Sequence, residues 1–296
     1  MPFSAALRLS SLALFIAFAA EAAPDEPKRI TILYDAFGSA SELRKDWGFA
    51  ALVEYGGRSV LFDTGNNAEK FAHNVRLLGV DLTRLDAAVI SHRHGDHTSG
   101  LAHLIATNPG VKIYAPVEPA YFGGPTPPAF WTRAHGLPES LRYFDGRDPG
   151  ALPTGSPWPS GKFSLVREST EILPGFHVVP TRSENPGTLE MNELSLAVRT
   201  PRGLAVIVGC SHPGVERILA GVAKIDSRLY TISGGFHLVL APEGEVRRVA
   251  AALHDELRVE RVAPGHCTSE LGFSVLLERF GERFDVAGVG ATIPLP

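Results

Sequence analysis

The sequence predicts an α/β fold, and three observations support this prediction. Strand-like runs and helical patterns alternate along the first part of the chain. A short, wholly apolar strand leads directly into a cluster of polar residues, as at the strand ends where α/β sheets hold their sites. A second part, rich in strands, carries two further helical patterns. With 296 residues, of which 44% are hydrophobic, the chain is long enough to bury a large core.

The N-terminus has the pattern of a signal peptide. Arg8 supplies a short positive region, an apolar stretch runs from Leu12 to Ala20, and Ala20-Glu21-Ala22 has the small-x-small form of a cleavage site. The apolar stretch is short for a membrane span, and a retained N-terminal anchor is the alternative. We therefore expect a signal peptide over residues 1–22, a single domain over residues 23–296, and a periplasmic or secreted protein.

The residue pattern of the first part predicts strands at 29–34, 49–55, 59–62, 87–90 and 111–114. Gly56-Gly57 is a hairpin signal between the second and third strands. A helix is predicted over residues 67–78, where apolar residues recur on one face. Because residues 87–90 are all apolar, that strand is expected to be buried on both faces. Thr98 is expected to cap a helix that continues through Ile105.

Residues 116–161 are rich in proline, glycine and aromatic residues. A long aromatic loop in a compact domain is usually functional or an excursion. We interpret it as a lid over the site; the alternative is an excursion packed on the surface without substrate contact. Beyond it, strands are predicted at 164–167, 176–179, 194–199, 204–208, 230–233 and 261–263, and helices at 214–225 and 244–257.

The strongest functional signal is the run from His92 to His97, directly after a predicted buried strand. Three histidines and Asp96 fall within six positions, and imidazole and carboxylate are ligands that a borderline divalent metal prefers. In an extended turn alternate residues point the same way, so His92 and His94 can share one ion while Asp96 and His97 face another. Gly95 is expected to relieve crowding at a sharp bend. A histidine-rich surface loop is the alternative, which the flanking buried strand disfavours.

Three later histidines, His212, His237 and His266, each follow a predicted strand and have small neighbours. Side chains at such strand ends converge on a pocket in open α/β sheets. A lone histidine there is more often structural, but three in a chain with a metal loop favour ligands at His212 and His266. His237 is expected beside the ligands or against the substrate. The remaining histidines lack this setting: His73, His103, His135, His177 and His254.

The chain contains two cysteines, Cys210 and Cys267, and each lies close to a predicted ligand. An exported protein passes through an oxidising compartment, so a disulfide is one alternative. Two free, buried thiols near the site are the favoured alternative, and spacing alone does not decide between them. The formal net charge of −4 argues against a nucleic-acid binder. We expect a small-molecule substrate and no stable membrane insertion of the mature chain.

These motifs resemble those of the metallo-β-lactamase superfamily. The segment Ser91–Leu101 resembles its signature, His-x-His-x-Asp-His followed by a small residue and glycine, and Asp63 resembles the strand-end aspartate that precedes it in many members. Other motifs are similar to the branch typified by the archaeal dihydropterin ribofuranosyl-aminobenzene phosphate synthase: Trp47-Gly48-Phe49, Gly209-Cys210-Ser211-His212, Gly234-Gly235-Phe236-His237-Leu238 and His266-Cys267-Thr268.

The resemblance implies a four-layer αββα sandwich with a dinuclear metal site at one edge of its two sheets. The implied ligands are His92, His94 and His212 for one ion, and Asp96, His97 and His266 for the other. Asp63 and Cys210 are expected just outside this set, where Asp63 orients a ligand. The superfamily often adds a bridging aspartate; Cys210 stands at the comparable place, so either its thiol or a hydroxide alone bridges the ions.

Two close divalent ions lower the pKa of a bound water, so the predicted activity is hydrolysis of a small ester, lactone or phosphoester by a metal-bound hydroxide. Asp96 is the predicted residue that orients this water or carries its proton. His237 is predicted to donate to a developing oxyanion or a substrate phosphate. The histidine-rich ligands suit two zinc ions, and iron or manganese are the alternatives.

Other function classes remain open in the sequence. A catalytically silent metal-binding or ligand-binding protein would keep the same fold. A synthase that forms C–N or C–C bonds is less favoured, because the archaeal enzyme makes a cytoplasmic precursor and this chain carries an export signal. A di-iron oxidoreductase usually has a carboxylate where His94 stands and needs an electron-donor domain.

Overall fold

The computed structural model describes residues 1, 26–39, 42–118, 121–122, 136–142, 147, 157–184 and 191–296. The predicted signal peptide beyond Met1 and much of the 116–161 excursion lie outside these residues. Within the part of the chain that is described, no helix is both long enough and apolar enough to cross a bilayer.

The described residues form thirteen strands and six α-helices. The strands are β1 (Arg29–Tyr34), β2 (Ala50–Tyr55), β3 (Arg58–Phe62), β4 (Ala87–Val89), β5 (Lys112–Pro116), β6 (Lys162–Val166), β7 (Thr170–Leu173), β8 (Phe176–Arg182), β9 (Asn192–Thr200), β10 (Gly203–Val208), β11 (Leu229–Gly235), β12 (Arg261–Gly265) and β13 (Thr292–Pro294). The helices are α1 (Ala68–Leu77), α2 (Gly95–Thr98), α3 (Leu101–Thr107), α4 (Val215–Val222), α5 (Glu243–Ala251) and α6 (Glu270–Phe280). Short 3₁₀ turns lie at Leu82–Arg84, Glu139–Leu141, His266–Thr268 and Gly281–Arg283, and a π-helical turn at Ala252–Glu256.

The strands form two mixed sheets. One has seven strands in the order β13-β1-β2-β3-β4-β5-β6, and the other has six in the order β12-β11-β10-β9-β8-β7. Strands β3 to β6 run parallel to one another, as do β10 to β12. Because the carboxyl ends of parallel strands share one sheet edge, the loops that follow β3, β4, β10, β11 and β12 can meet.

Three apolar clusters separate four layers. The first lies between the sheets and joins residues such as Phe62 of one sheet to Leu196 of the other. The second covers the outer face of the seven-stranded sheet and includes Phe71 and Leu104 of α1 and α3. The third packs α4, α5 and α6 on the outer face of the six-stranded sheet. The αββα sandwich implied by the resemblance is therefore confirmed.

Most predicted elements are present, with corrections. The strand predicted at 164–167 is β6, which belongs to the first sheet rather than to the second half, and β7, β13 and α6 were not predicted. The cap predicted at Thr98 is wrong. Thr98 ends α2 and its hydroxyl donates to the His94 carbonyl at 3.0 Å, while α3 begins after Gly100. A Cβ at Gly100 would lie 2.3 Å from the Thr64 carbonyl oxygen, so this close approach sets the break between the helices.

Two aromatic residues of the 116–161 excursion, Phe122 and Trp158, pack on the outer cluster of the first sheet, whereas its described residues 136–142 are exposed. Phe122 is fully buried, its ring stacks on Trp158 at 6.2 Å, and it lies 5.4 Å from Phe163. These contacts favour the packed excursion for this part of the segment. The predicted lid falls mostly on residues outside the described ones and stays a prediction.

Candidate metal centre

The run from His92 to His97 combines two backbone conformations. His92 and His94 lie in the extended stretch after β4, whereas Asp96 and His97 lie on the helical turn α2. The run is therefore not the extended turn that the sequence predicted. The two pairs of side chains nevertheless face different directions. The steric role predicted for Gly95 is wrong: a Cβ there would meet only Ser99 Oγ, at an ordinary 3.8 Å.

The predicted ligands come together in two groups of donor atoms. Within each group the candidate ligand atoms lie within 4.8 Å of one another. The groups are Asp96, His97, Cys210 and His266, and His92, Cys210 and His212. A further set of possible ligand atoms joins Cys210, His237 and Cys267, and contains none of the six predicted ligands. His94 lies against the second group, with its ring centroid 4.7 Å from that of His92 and 4.8 Å from that of His212. All six predicted ligands thus surround one centre.

Cys210 belongs to both groups. Its Sγ lies 3.2 Å from His97 Nε2 and 3.2 Å from His266 Nε2. This thiol therefore stands between the two groups, at the place where a bridging ligand would lie, rather than outside the ligand set. Cys210 and Cys267 are both buried and free, so the disulfide alternative is not realised.

A buried carboxylate fixes the ligands of the first sheet from behind. Asp63, at the end of β3, accepts hydrogen bonds from the Ser91 backbone and hydroxyl, both at 2.7 Å, and its Oδ2 lies 2.7 Å from His97 Nδ1. Ser91 Oγ in turn lies 2.9 Å from His92 Nδ1. With their Nδ1 atoms engaged in this way, His92 and His97 turn Nε2 toward the centre. Asp63 thus occupies the orienting position expected from the sequence.

Two further carboxylates, which the sequence analysis missed, hold the loops of the second sheet. Glu193 on β9 is buried and accepts the backbone N–H groups of Cys210, Ser211 and His212 at 2.9, 2.7 and 2.8 Å. Asp35, after β1, is buried and accepts the N–H of His266 at 3.0 Å. The sequence signal for Glu193 and Asp35 was a single acidic residue in or directly after an apolar strand.

Burial dominates the electrostatics of these carboxylates. It raises the pKa of Glu193 to about 7 and the pKa of Asp35 to about 8, although hydrogen bonds from backbone N–H groups oppose the shift. Burial also raises the pKa of Asp96, but the hydrogen bond from His266 and the charges of His97 and His266 together outweigh it and hold this pKa below its usual range. Asp96 is therefore the ionised carboxylate that faces the centre.

The surroundings shift the pKa values of these imidazoles in opposite directions. Burial, followed by the nearby His97, holds the pKa of His92 well below its ordinary value. Burial and the neighbouring His237 lower the pKa of His212 to about 3. Burial lowers the pKa of His97 as well, but the Asp63 carboxylate outweighs it and raises this pKa to about 9.

The donor set fits divalent metal ions. Imidazole nitrogen, carboxylate oxygen and thiol sulfur are the ligand types that zinc takes. The Nδ1 atom of His266 is buried without a hydrogen-bond partner among the described residues. The donor groups are therefore candidate sites for divalent metal ions.

Backbone strain is concentrated at the centre. Six described residues other than glycine have positive φ, and four of them are Asp63 (57°), Ser211 (63°), His237 (54°) and His266 (48°). Each such conformation costs about 1–3 kcal/mol and persists where surrounding structure enforces it. The rest of the fold therefore stabilises the geometry of this site.

His237 lies beside the donor groups and faces solvent. Its ring centroid is 4.3 Å from that of His212, and a hydrogen bond with Cys267 raises its pKa against the effect of burial. Next to these rings lies a cavity of about 430 Å³, whose lining includes Phe236, Leu238 and Arg248. The centre is therefore open to a small molecule on this side.

The other histidines do not join the donor groups where they are described. His73 lies on α1, His103 on α3, His177 on β8 and His254 in the π-helical turn. His135 lies outside the described residues.

The geometry and the sequence define one family. Residues 44–266 match the model of the metallo-β-lactamase superfamily, and the chain belongs to that superfamily. It is 30% identical over 291 residues to the 7,8-dihydropterin-6-methyl-4-(β-D-ribofuranosyl)-aminobenzene-5'-phosphate synthase of Methanocaldococcus jannaschii, covering 91% of this chain and 97% of the relative. The branch resemblance is thereby confirmed. A Ribonuclease Z from Salinibacter ruber is 25% identical, covering 83% of this chain and 80% of the relative.

Solved structures show the same fold. Tm1679, described as a metal-dependent hydrolase of the β-lactamase superfamily, is 28% identical with a TM-score of 0.65, over 90% of this chain and 98% of that one. The metallo-β-lactamase fold protein YhfI from Bacillus subtilis has a TM-score of 0.56 at 13% identity, over 90% of this chain and 99% of that one.

Proposed function

We propose that this protein is an exported metal-dependent hydrolase of a small-molecule ester, lactone or phosphoester. The observation that carries the proposal is the position of Cys210, where two groups of donor atoms meet beside an open cavity. Such a pair of adjacent sites is suited to hydrolysis, because two divalent ions activate a water molecule and polarise the oxygen of the bond that breaks.

The residues of the chain divide the remaining tasks. Asp96 Oδ2 lies 3.3 Å from His266 Nε2 and 3.7 Å from His97 Nε2. Because its side chain is partly exposed and ionised, Asp96 can orient the attacking water and accept its proton. His237, at the solvent side, would donate a hydrogen bond to the oxygen that gains charge or to a substrate phosphate.

The surroundings of the centre support a small substrate. A cavity of about 430 Å³ is within the range of small-molecule sites. Its charged side chains are of both signs, Glu216 and Glu245 beside Arg217 and Arg248. Zinc is the proposed metal because imidazole predominates among the ligands, and export is proposed from the signal-peptide pattern of residues 1–22.

A second candidate function is a synthase that forms a C–N or C–C bond. It is favoured by the M. jannaschii synthase, whose length the alignment covers almost completely. Such a reaction would use the same residues to position two substrates instead of a substrate and water. Hydrolysis of a single compound without a second substrate would separate the two candidates.

The test is elemental analysis of purified protein together with a panel of chromogenic esters, lactones and bis-phosphodiesters. We expect about two zinc ions per chain and turnover of one class of substrate. The His92→Ala variant should lose zinc and turnover. His73→Ala is the matched control, since His73 lies outside the centre on α1, and it should behave as the wild type. Two bound ions without turnover of any class would contradict the hydrolase proposal and favour a binding protein or the synthase.

A further inference from the structure

The Trp47-Gly48-Phe49 motif is fastened to the metal loop. Phe49 is fully buried in the core between the sheets, and its N–H donates to the Asp96 carbonyl at 3.2 Å. Gly48 has φ of 137°, and a Cβ there would lie 2.5 Å from the same carbonyl oxygen. Only glycine allows this close approach. The position of Trp47 is therefore tied to the backbone of Asp96.

Further contacts hold the backbone before the indole ring. The N–H of Trp47 donates to Asp46 Oδ1 at 2.9 Å. The other oxygen of Asp46 accepts from Lys70 Nζ at 2.8 Å and from the Tyr34 hydroxyl at 2.9 Å. These contacts fix the backbone from which the Trp47 side chain extends.

That side chain is an indole ring at the edge of the centre. Its centroid lies 4.8 Å from that of His266, with the planes inclined at 51°. Nevertheless, 43% of Trp47 is exposed. Large aromatic side chains gain most when both faces are covered. Trp47 therefore presents an uncovered apolar surface directly beside a predicted metal ligand.

Exposed apolar residues also occur in the segments that adjoin His237 and His266. Val239, Leu240 and Leu271 are exposed, Leu240 to 94%. The N–H of Leu238 donates to the Cys267 carbonyl at 3.0 Å, which joins the two segments. Exposed apolar groups on segments that also carry site residues are typical of a surface that receives a ligand.

We propose that Trp47 determines substrate specificity by packing against a planar apolar group, such as an aromatic ring, that the substrate carries next to the bond that breaks. This inference rests on the proposed function, because it assigns a substrate class to the same site. It makes Trp47 a binding residue without a part in the chemical step. The favoured substrates are thus aryl or similarly planar esters and phosphoesters rather than short aliphatic ones.

The test compares two non-hydrolysable ligands, phenylphosphonate and methylphosphonate, by titration calorimetry with the zinc-loaded protein. Stacking and burial of one ring predict that the wild type binds phenylphosphonate about tenfold more tightly. Trp47→Ala should remove this preference and leave methylphosphonate binding and zinc content unchanged. Trp47→Phe should restore most of it. The matched control is Trp158→Phe, in the packed cluster away from the centre.

Two results would overturn the proposal. One is a wild type that binds both phosphonates equally or binds neither. The other is a Trp47→Ala variant that loses zinc or weakens both ligands to the same degree, which would show that the ring only covers His266. Because binding is measured without turnover, a preference lost in Trp47→Ala would support this inference even if the hydrolase proposal failed.

Discussion

The two sheets contribute ligands to the centre in different ways. The seven-stranded sheet supplies four predicted ligands from one run of six residues after β4, held by Asp63 at a separation of 34 residues from His97. The six-stranded sheet supplies Cys210, His212 and His266 from the ends of two strands. These are held by Glu193 and by Asp35, which is 231 residues away from His266.

This difference shows where the geometry of such a site is encoded. A continuous run carries its own spacing, so one supporting carboxylate suffices to orient it. Ligands on separate strand ends depend on hydrogen bonds to carboxylates from other parts of the chain. Disturbing the support of the second sheet should therefore affect both metal positions through Cys210. Disturbing Asp63 should affect the position at His97 more than the position at His92, because Asp63 contacts His97 directly and reaches His92 through Ser91.

The largest effect is expected at the one ionised carboxylate of the run. Asp96→Asn should lower kcat by about 10²–10⁴-fold, because the amide cannot accept a proton from water. Steady-state kinetics with parallel zinc analysis would measure this. Asp81→Asn is the matched control, since Asp81 caps a distant 3₁₀ turn and asparagine caps equally well. Near-normal turnover with both ions bound would rule out the role assigned to Asp96.

The supports should differ in how evenly they affect the two ions. Asp63→Asn should weaken the zinc ion at His97 by about 10–100-fold and the ion at His92 less, because its contact with His97 is direct and its contact with His92 runs through Ser91. Glu193→Gln should weaken both, because its amide group faces backbone N–H donors and loosens Cys210, which belongs to both donor groups. Competition with a chromophoric chelator would give both affinities.

Exposed Glu168 offers the control variant Glu168→Gln, which should bind zinc as the wild type does. If Glu193→Gln weakened a single ion, or Asp63→Asn weakened both equally, the contrast between the two sheets would be wrong.

The smallest effect on function is expected in the outer cluster. Trp158→Ala removes a half-buried ring that stacks on Phe122, so the free energy of unfolding should fall by about 1–3 kcal/mol. The ratio kcat/KM should not change, because this cluster packs on the face opposite the second sheet. Urea denaturation and kinetics would be compared. A raised KM at unchanged stability would instead support the lid interpretation of residues 116–161.

The sequence predicted the fold class and most strands, because hydrophobic patterns and turn residues are local signals. It did not predict β13, which has three residues and pairs with β1 from the other end of the chain. Helix α6 was missed because Gly272 interrupts its pattern near the start. The Ser269 side chain caps this helix by accepting a hydrogen bond from the Gly272 N–H at 3.1 Å. Ser269 itself has a positive φ of 76°, a conformation that its residue type does not predict.

The structure brings the predicted ligands together, and the signal for them was histidine and aspartate beside buried strands. Glu193 was missed because one acidic residue in a strand usually marks a solvent-facing position. Its burial results from the loop of residues 210–212, which brings three N–H groups to it. Asp35 was missed for the same reason. The role of a carboxylate that only supports other residues depends on long-range packing.

One hydrogen bond joins the two sheets beside the metal run. The N–H of Leu194 on β9 donates to the Ser91 carbonyl beside the metal run at 2.8 Å, next to the strand position of Glu193. The halves of the sandwich are thus joined at the point where the ions would bind. Metal that binds there stabilises the folded chain, by about 2.7 kcal/mol at a free metal concentration one hundred times Kd. The melting temperature of the whole chain should therefore rise with the free metal concentration. A thermal scan in metal buffers would measure this rise.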